Sequence, residues 1–149
     1  MRAMNGAPAQ QSLFAPPEGQ YVRVALDTPV RREFSYWAPL GVKVEPGARV
    51  RVPFGPRERV GVAVGIDPHP PAGVAPDRVR PISAVLDEQP LLTPALLRLA
   101  RSIADENFCS WGNALSAMLP STLRRGRARR SVALIELLED KLPDADGLE

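Results

Sequence analysis

Cysteine and histidine are almost missing from this chain, and most routes to metal or nucleophilic chemistry go with them. Cys109 and His69 are each the single example of their type in 149 residues. One cysteine builds no disulfide framework. His69 sits in the proline-rich stretch "DPHPPAGVAPD", with no second histidine or cysteine near it to complete a metal site. Between Phe108 and Trp111, Cys109 reads as a small buried residue. Aromatics are also scarce, at 5% of the chain, so the core must come mainly from Val, Leu, Ile and Ala. No apolar run approaches the length of about eighteen residues that a membrane span needs, and no charged-apolar-small leader is present. The expectation is a cytoplasmic protein without a membrane partner.

The usual catalytic signatures are missing too. There is no G-x-x-x-x-G-K-[ST] loop for nucleotide phosphates, and "GVAVG" lies inside an expected strand, not at a strand-to-helix turn. A Ser/His/Asp arrangement has no usable histidine. The adjacent acids Asp87-Glu88 and Asp105-Glu106 read as solvated surface. The chain is therefore not expected to be an enzyme, and no cofactor is expected on it.

What is present is arginine. Basic residues number 19 and all but Lys43 and Lys141 are Arg, against 17 acidic residues. The excess is local: residues 21–80 hold ten basic and six acidic side chains, whereas residues 81–120 hold two and four. The planar guanidinium suits phosphates and base edges, so the bias points towards nucleic acid. GC-rich coding would produce the same bias without a function.

Residues 1–20 lack periodicity and read as a flexible tail. From Tyr21 the pattern becomes that of β-structure. Val22, Val24 and Leu26 alternate with Tyr21, Arg23 and Ala25, as in a half-buried strand. "FSYWAP" is compatible with a second strand. Aromatics on strands are mostly core, so at most one of Phe34, Tyr36 and Trp37 is expected to face a ligand. Val50, Val52 and Phe54 then share a face opposite Arg49 and Arg51. "GPRER" reads as a five-residue loop, and Val60, Val62, Val64 and Ile66 form the return strand. This is a hairpin with a basic outer face and tip. Opposite the valines, Gly61, Ala63 and Gly65 permit strong coiling. "RVRPISAVLD" reads as a last strand, placed at an edge by Pro81.

The pattern turns helical at residue 93. Thr93 is an N-cap followed by Pro94. Leu96, Leu97, Ala100, Ile103, Ala104 and Phe108 fall on one stripe. Ser110 caps a second short helix that stops at Pro120. The expected fold class is α+β: a small, strongly curled, barrel-like sheet (21–88) followed by two packed helices (89–120), together a domain over 21–124. Residues 125–149, opening with the end of the Arg124–Arg130 basic run, read as a linker and the start of an incomplete further domain.

The hairpin row Arg49, Arg51, Arg57 and Arg59 is a candidate for DNA-backbone contact, since each arginine can neutralise a phosphate. The plainer reading is a solvated face that discourages edge pairing. A small barrel that serves as a protein-interaction module, its arginines keeping it soluble or meeting an acidic partner, is the alternative functional class.

Two blocks, "PGARVRVPFG" and "VLDEQPLLTPALLRLARSIAD", in this order and spacing, resemble the N-terminal 3′-DNA-binding domain of primosomal protein N′ (PriA), the bacterial replication-restart helicase. The resemblance covers residues from about 21 to 125. It implies a module that holds the 3′ end of a nascent leading strand at a stalled or repaired fork, in a nucleoid-associated protein. Partners implied are DNA forks with a 3′ end, single-stranded DNA-binding protein and other primosome proteins. Carried over position by position, the pocket aromatic corresponds to Phe34 and the strand-ending glycine to Gly55. A basic residue, a lysine in some members, corresponds to Arg80. The residue commonly an aspartate corresponds to Ser35. A carboxylate repels a terminal phosphate, whereas a hydroxyl is uncharged and both donates and accepts. Ser35 therefore implies weaker electrostatic discrimination between a 3′-hydroxyl and a 3′-phosphate. The family's winged-helix domain, helicase lobes and zinc-binding insertion, with their ATP and zinc, have no counterpart motifs here. Ending in a partial helix favours a truncated form over a naturally short relative.

Overall fold

The computed structural model describes residues 18–127. Most of the expected tail and linker lies outside these residues, although the first strand already begins at Gly19. Five strands form one antiparallel sheet: β1 Gly19–Leu26, β2 Phe34–Pro39, β3 Arg49–Phe54, β4 Arg57–Asp67 and β5 Ala84–Val85. Their spatial order is β2-β1-β4-β3-β5. Three helices follow: α1 Pro94–Glu106, α2 Trp111–Met118 and α3 Ser121–Arg124. No helix among the described residues is long and apolar enough to cross a membrane. The α+β expectation holds, with one more helical turn than the pattern announced.

The sheet carries a core on each face. Val22, Val24, Leu26, Tyr36, Val50, Val52 and Ala63 fill the concave side. Ala25 and Val62 turn outward against Leu97, Ala100, Ala104, Ala114 and Leu115 of α1 and α2. This second burial explains why Ala25, expected on a wetter face, is also buried. Small residues let the layers meet closely. A Cβ on Gly112 of α2 would fall on the Leu26 carbonyl of β1. Asp27, just past β1, accepts hydrogen bonds from Asn113 and Ser116 of α2 and pins the helix there. Thr93 and Ser110 act as N-caps, accepting from the backbone N–H groups of Leu96 and Asn113.

Curling brings the sheet's two edges towards one another, and the segment Arg80–Val85 joins them. Trp37 of β2 donates to the Arg80 carbonyl at 2.9 Å, and Ile82 donates back to Trp37 at 2.9 Å. Ser83 then donates to Arg51 of β3 at 2.8 Å, and Val85 pairs with Val50. Pro81 is accommodated in this seam, where its missing N–H removes no ladder bond.

Four sequence expectations change. The β3–β4 connection is the two residues Gly55-Pro56, not five, because Phe54 pairs directly with Arg57. Gly55 has φ +58, and the following proline ring fixes φ near about −65°, the combination a type II′ hairpin turn needs. A bulge also shifts the β1–β4 register between Arg23 and Val24. Ile66 thereby packs on the concave core while Val62 and Val64 belong to the convex one, despite their unbroken alternation. Phe108, expected on the α1 core stripe, is 80% exposed. The helix ends at Glu106, and Phe108 adopts φ +53 as the chain reverses, so its ring leaves the helical phase. Ile103, at the flank of the stripe, is also exposed.

The fourth change concerns Arg49, which is fully buried. Its Nη2 donates to Asp87 Oδ1 at 2.6 Å and its Nε to Oδ2 at 2.9 Å, a bidentate pair. Asp87 also accepts the Arg49 backbone N–H at 2.9 Å. The remaining Nη1 donates to the carbonyls of Leu123 at 2.7 Å and Arg127 at 3.0 Å. Four of its five N–H donors are committed and the side chain has no access to solvent, so Arg49 leaves the row of backbone-contact candidates. Removing one partner of a buried pair strands the other charge, which costs about 3–5 kcal/mol. Asp87→Ala is therefore expected to lower unfolding stability in urea by that amount, and a change below about 1 kcal/mol would contradict this role for the pair.

Candidate nucleic-acid interface

The hairpin and the seam meet at the open end of the half-barrel. There Phe34, Ser35, Tyr36, Pro53, Phe54, Gly55, Arg78 and Arg80 line a depression of about 270 Å³. All four residues singled out for a 3′-end pocket, Phe34, Ser35, Gly55 and Arg80, thus lie in one concavity. Its lining includes two arginines and no carboxylate.

The floor is aromatic. Phe34 and Phe54 meet edge to face, with centroids 5.2 Å apart and planes at 81°. Strand alternation explains the pairing, since Phe34 opens β2 and Phe54 closes β3, both facing the concave side. Tyr36 lies deeper, donating its hydroxyl hydrogen bond to the Pro53 carbonyl at 3.0 Å. Burial raises the Tyr36 pKa above its usual value, and the positive charge of Arg80 opposes that rise.

The rim is basic. Arg32 lies 5.3 Å from the Phe34 centroid and Arg59 lies 5.4 Å from that of Phe54. Arg80 reaches across the mouth, donating from Nη1 to the Gly55 carbonyl at 3.3 Å. Sheet geometry also fixes how Ser35 is presented. The backbone N–H and C=O of Trp37 point away from β1, into the seam. Period two directs those of Ser35 to the same free edge, one step beyond the seam's last hydrogen bond with β2. A backbone donor and acceptor therefore border the depression at Ser35, whatever its side chain does.

The tight turn also divides the hairpin arginines. With Arg59 opposite Val52 and Arg57 opposite Phe54, both extend the concave side towards the depression. Arg51 lies on the other face, where it approaches Glu58 at 3.9 Å. Sequence reasoning put all four on one outer face because it ended the strand at the glycine. Arg78 and Arg32 were not singled out. Arg78 lies on a single 3-10 turn, Pro76–Arg78, inside a proline-rich stretch whose path no periodicity reveals.

A family model described as the 3′DNA-binding domain (3′BD) of PriA matches residues 23–120. The chain is 36% identical over 107 residues to the replication restart protein PriA of Haemophilus influenzae, covering 72% of this chain and 14% of that protein. It is 32% identical over 97 residues to the Bacillus subtilis protein of the same name, covering 64% of this chain and 12% of the relative. The chain thus spans only about one seventh of the Haemophilus relative's length.

One consequence concerns Tyr36. Its phenol ionises above the ordinary tyrosine range, so folded-state stability from this group is complete below the unfolded pKa and is lost as pH rises through the folded one. Removing the opposing charge by Arg80→Gln is expected to move that ionisation further up in a spectrophotometric titration. An unmoved ionisation would contradict the placement of Arg80 beside Tyr36. The family model spans residues 23–120, which hold most of the half-barrel and both main helices: the chain belongs to the PriA 3′ DNA-binding domain family.

Proposed function

We propose that this domain recognises the 3′ end of a nascent leading strand at a DNA fork, using the depression between β2 and the β3–β4 turn. The observation that carries the reading is the convergence of Phe34, Ser35, Gly55 and Arg80 on that one concavity. Each part of it suits one feature of a strand end. The Phe34–Phe54 pair offers aromatic surface to the terminal base, and because every base has a π-face such stacking is sequence-tolerant. Arg78 and Arg80 offer guanidinium groups to the last phosphates. The backbone at Ser35 and Gly55 borders the place where a terminal hydroxyl would lie. The depression, about 270 Å³ in volume and open on one side, suits a chain end better than a continuous strand.

The missing carboxylate shapes the expected specificity. With Ser35 at the rim and two arginines nearby, a terminal phosphate meets no negative charge. Recognition then rests on the presence of an end and the fit of its base, and rejection of a 3′-phosphate is shallow. In a family where this position is commonly acidic, this chain is a relaxed reader of end chemistry.

Fluorescence anisotropy with two forks tests this, one with a nascent strand ending at the junction and one without that strand. The fork bearing the end is expected to bind roughly tenfold more tightly, within the range of about 1–3 kcal/mol that one stacked base contributes. Phe34→Ala is expected to remove that difference while the domain stays folded by circular dichroism. Equal affinity for the two forks, or an end preference that survives Phe34→Ala, would overturn the pocket.

A further inference from the structure

The buried Arg49 creates a second basic surface, on the side of the sheet away from the depression. Through its bonds to the Leu123 and Arg127 carbonyls, Arg49 holds the last described turn of the chain against the outer face of the hairpin. The Leu123 carbonyl also accepts the Gly126 backbone N–H at 3.1 Å, so the guanidinium reinforces a helix end that the backbone already closes. Contact there is close: a Cβ on Gly126 would lie 3.1 Å from Val60, 3.3 Å from the Arg51 guanidinium and 3.6 Å from Leu86. Arg124, Arg125 and Arg127, all exposed, are thereby carried on the turn that packs beside Arg51. Arg124 donates from Nε to the Leu119 carbonyl at 2.8 Å, which anchors its side chain beside a shallow cavity that Asp27 also lines. The negative groups at hand are engaged: Asp27 accepts hydrogen bonds from Asn113 and Ser116. Asp87 is consumed by Arg49, and Glu58 stands 3.9 Å from Arg51, too long for a strong pair.

We infer that Arg51, Arg124, Arg125 and Arg127 form a phosphate-binding surface for the backbone of a duplex DNA arm, separate from the end pocket. Four guanidinium groups on a convex face, without aromatic rings among them, suit the regular phosphates of a duplex and offer nothing to an unstacked base. The pocket side has the opposite composition, with rings beneath its arginines. The sheet lies between the two sets, so a bound strand end and a bound duplex arm occupy different faces of the domain. Arg49 acts here as a positioning residue: it touches no DNA and sets where α3 presents its arginines.

The test replaces charge without adding repulsion. The variant Arg124→Gln/Arg125→Gln in the full chain is compared with Arg23→Gln/Arg98→Gln, which removes the same charge elsewhere. Anisotropy is measured on the two forks described above across a salt series. Losing two phosphate contacts is expected to make the slope of log affinity against log salt shallower by about two, with roughly tenfold weaker binding at low salt. The ratio between the fork with an end and the fork without one should stay unchanged. Phe34→Ala should do the reverse, changing the ratio and leaving the slope. Failure of the end pocket would thus appear as a missing ratio, and failure of this surface as a missing slope change. An unaltered slope, or equal losses in the control variant, overturns the proposal. So does unaltered DNA binding accompanied by lost binding to poly-glutamate, which would assign the surface to an acidic protein.

Discussion

A charge with no access to water organises this domain. The Arg49–Asp87 pair joins β3 to the end of the segment that seals the half-barrel, and the same guanidinium holds one carbonyl within α3 and one just beyond it. In water such a pair contributes little, and in the interior its desolvation must be offset by complete hydrogen bonding. That condition is met, since Asp87 also takes the Arg49 backbone N–H and Arg49 finds two further acceptors. The segment from Arg80 to Asp87 is thus tied to β2 at one end, to β3 in the middle and to a buried cation at the other. Arg80 owes its place across from Gly55 to this strap.

The two basic surfaces follow from one sheet having two faces. Alternation sends Phe54, Arg57 and Arg59 to the concave side and Arg49 and Arg51 to the convex one. Inside the curl, arginines stand over aromatic rings at a depression of about 270 Å³. Outside, helices cover Arg49 and leave Arg51 beside α3. A single hairpin therefore carries arginines on both faces, and turn length decides which arginine lies on which.

Much of this was legible in the sequence. Strand alternation in "YVRVALD" and "ARVRVPF", the Thr93 and Ser110 caps, and the small residues opposite the β4 valines all led to the observed elements. The pocket residues came together because their positions were carried over from a resembling family; periodicity alone would have left Ser35 and Arg80 unmarked. What stayed hidden depended on tertiary pairing. Nothing local distinguishes Arg49, buried on an ion pair 38 positions away, from Arg51, half exposed two residues later. The bulge that turns Ile66 inward leaves the valine pattern intact, and only the partner strand reveals it. Phe108 has the right spacing for the α1 stripe, but the helix ends first, so periodicity extrapolated past a terminus misplaced it.

The central claim is that a strand's terminal nucleotide sits between β2 and the hairpin turn. Photocrosslinking tests it most directly, with 4-thiothymidine as the 3′-terminal nucleotide of a fork's nascent strand and adducts located by mass spectrometry. Adducts within residues 34–36 and 53–55 are the expected result, with few or none when the probe is moved into the duplex arm. Adducts from the terminal nucleotide that gather on Arg51 and α3, or that scatter alike for both probe positions, would contradict it.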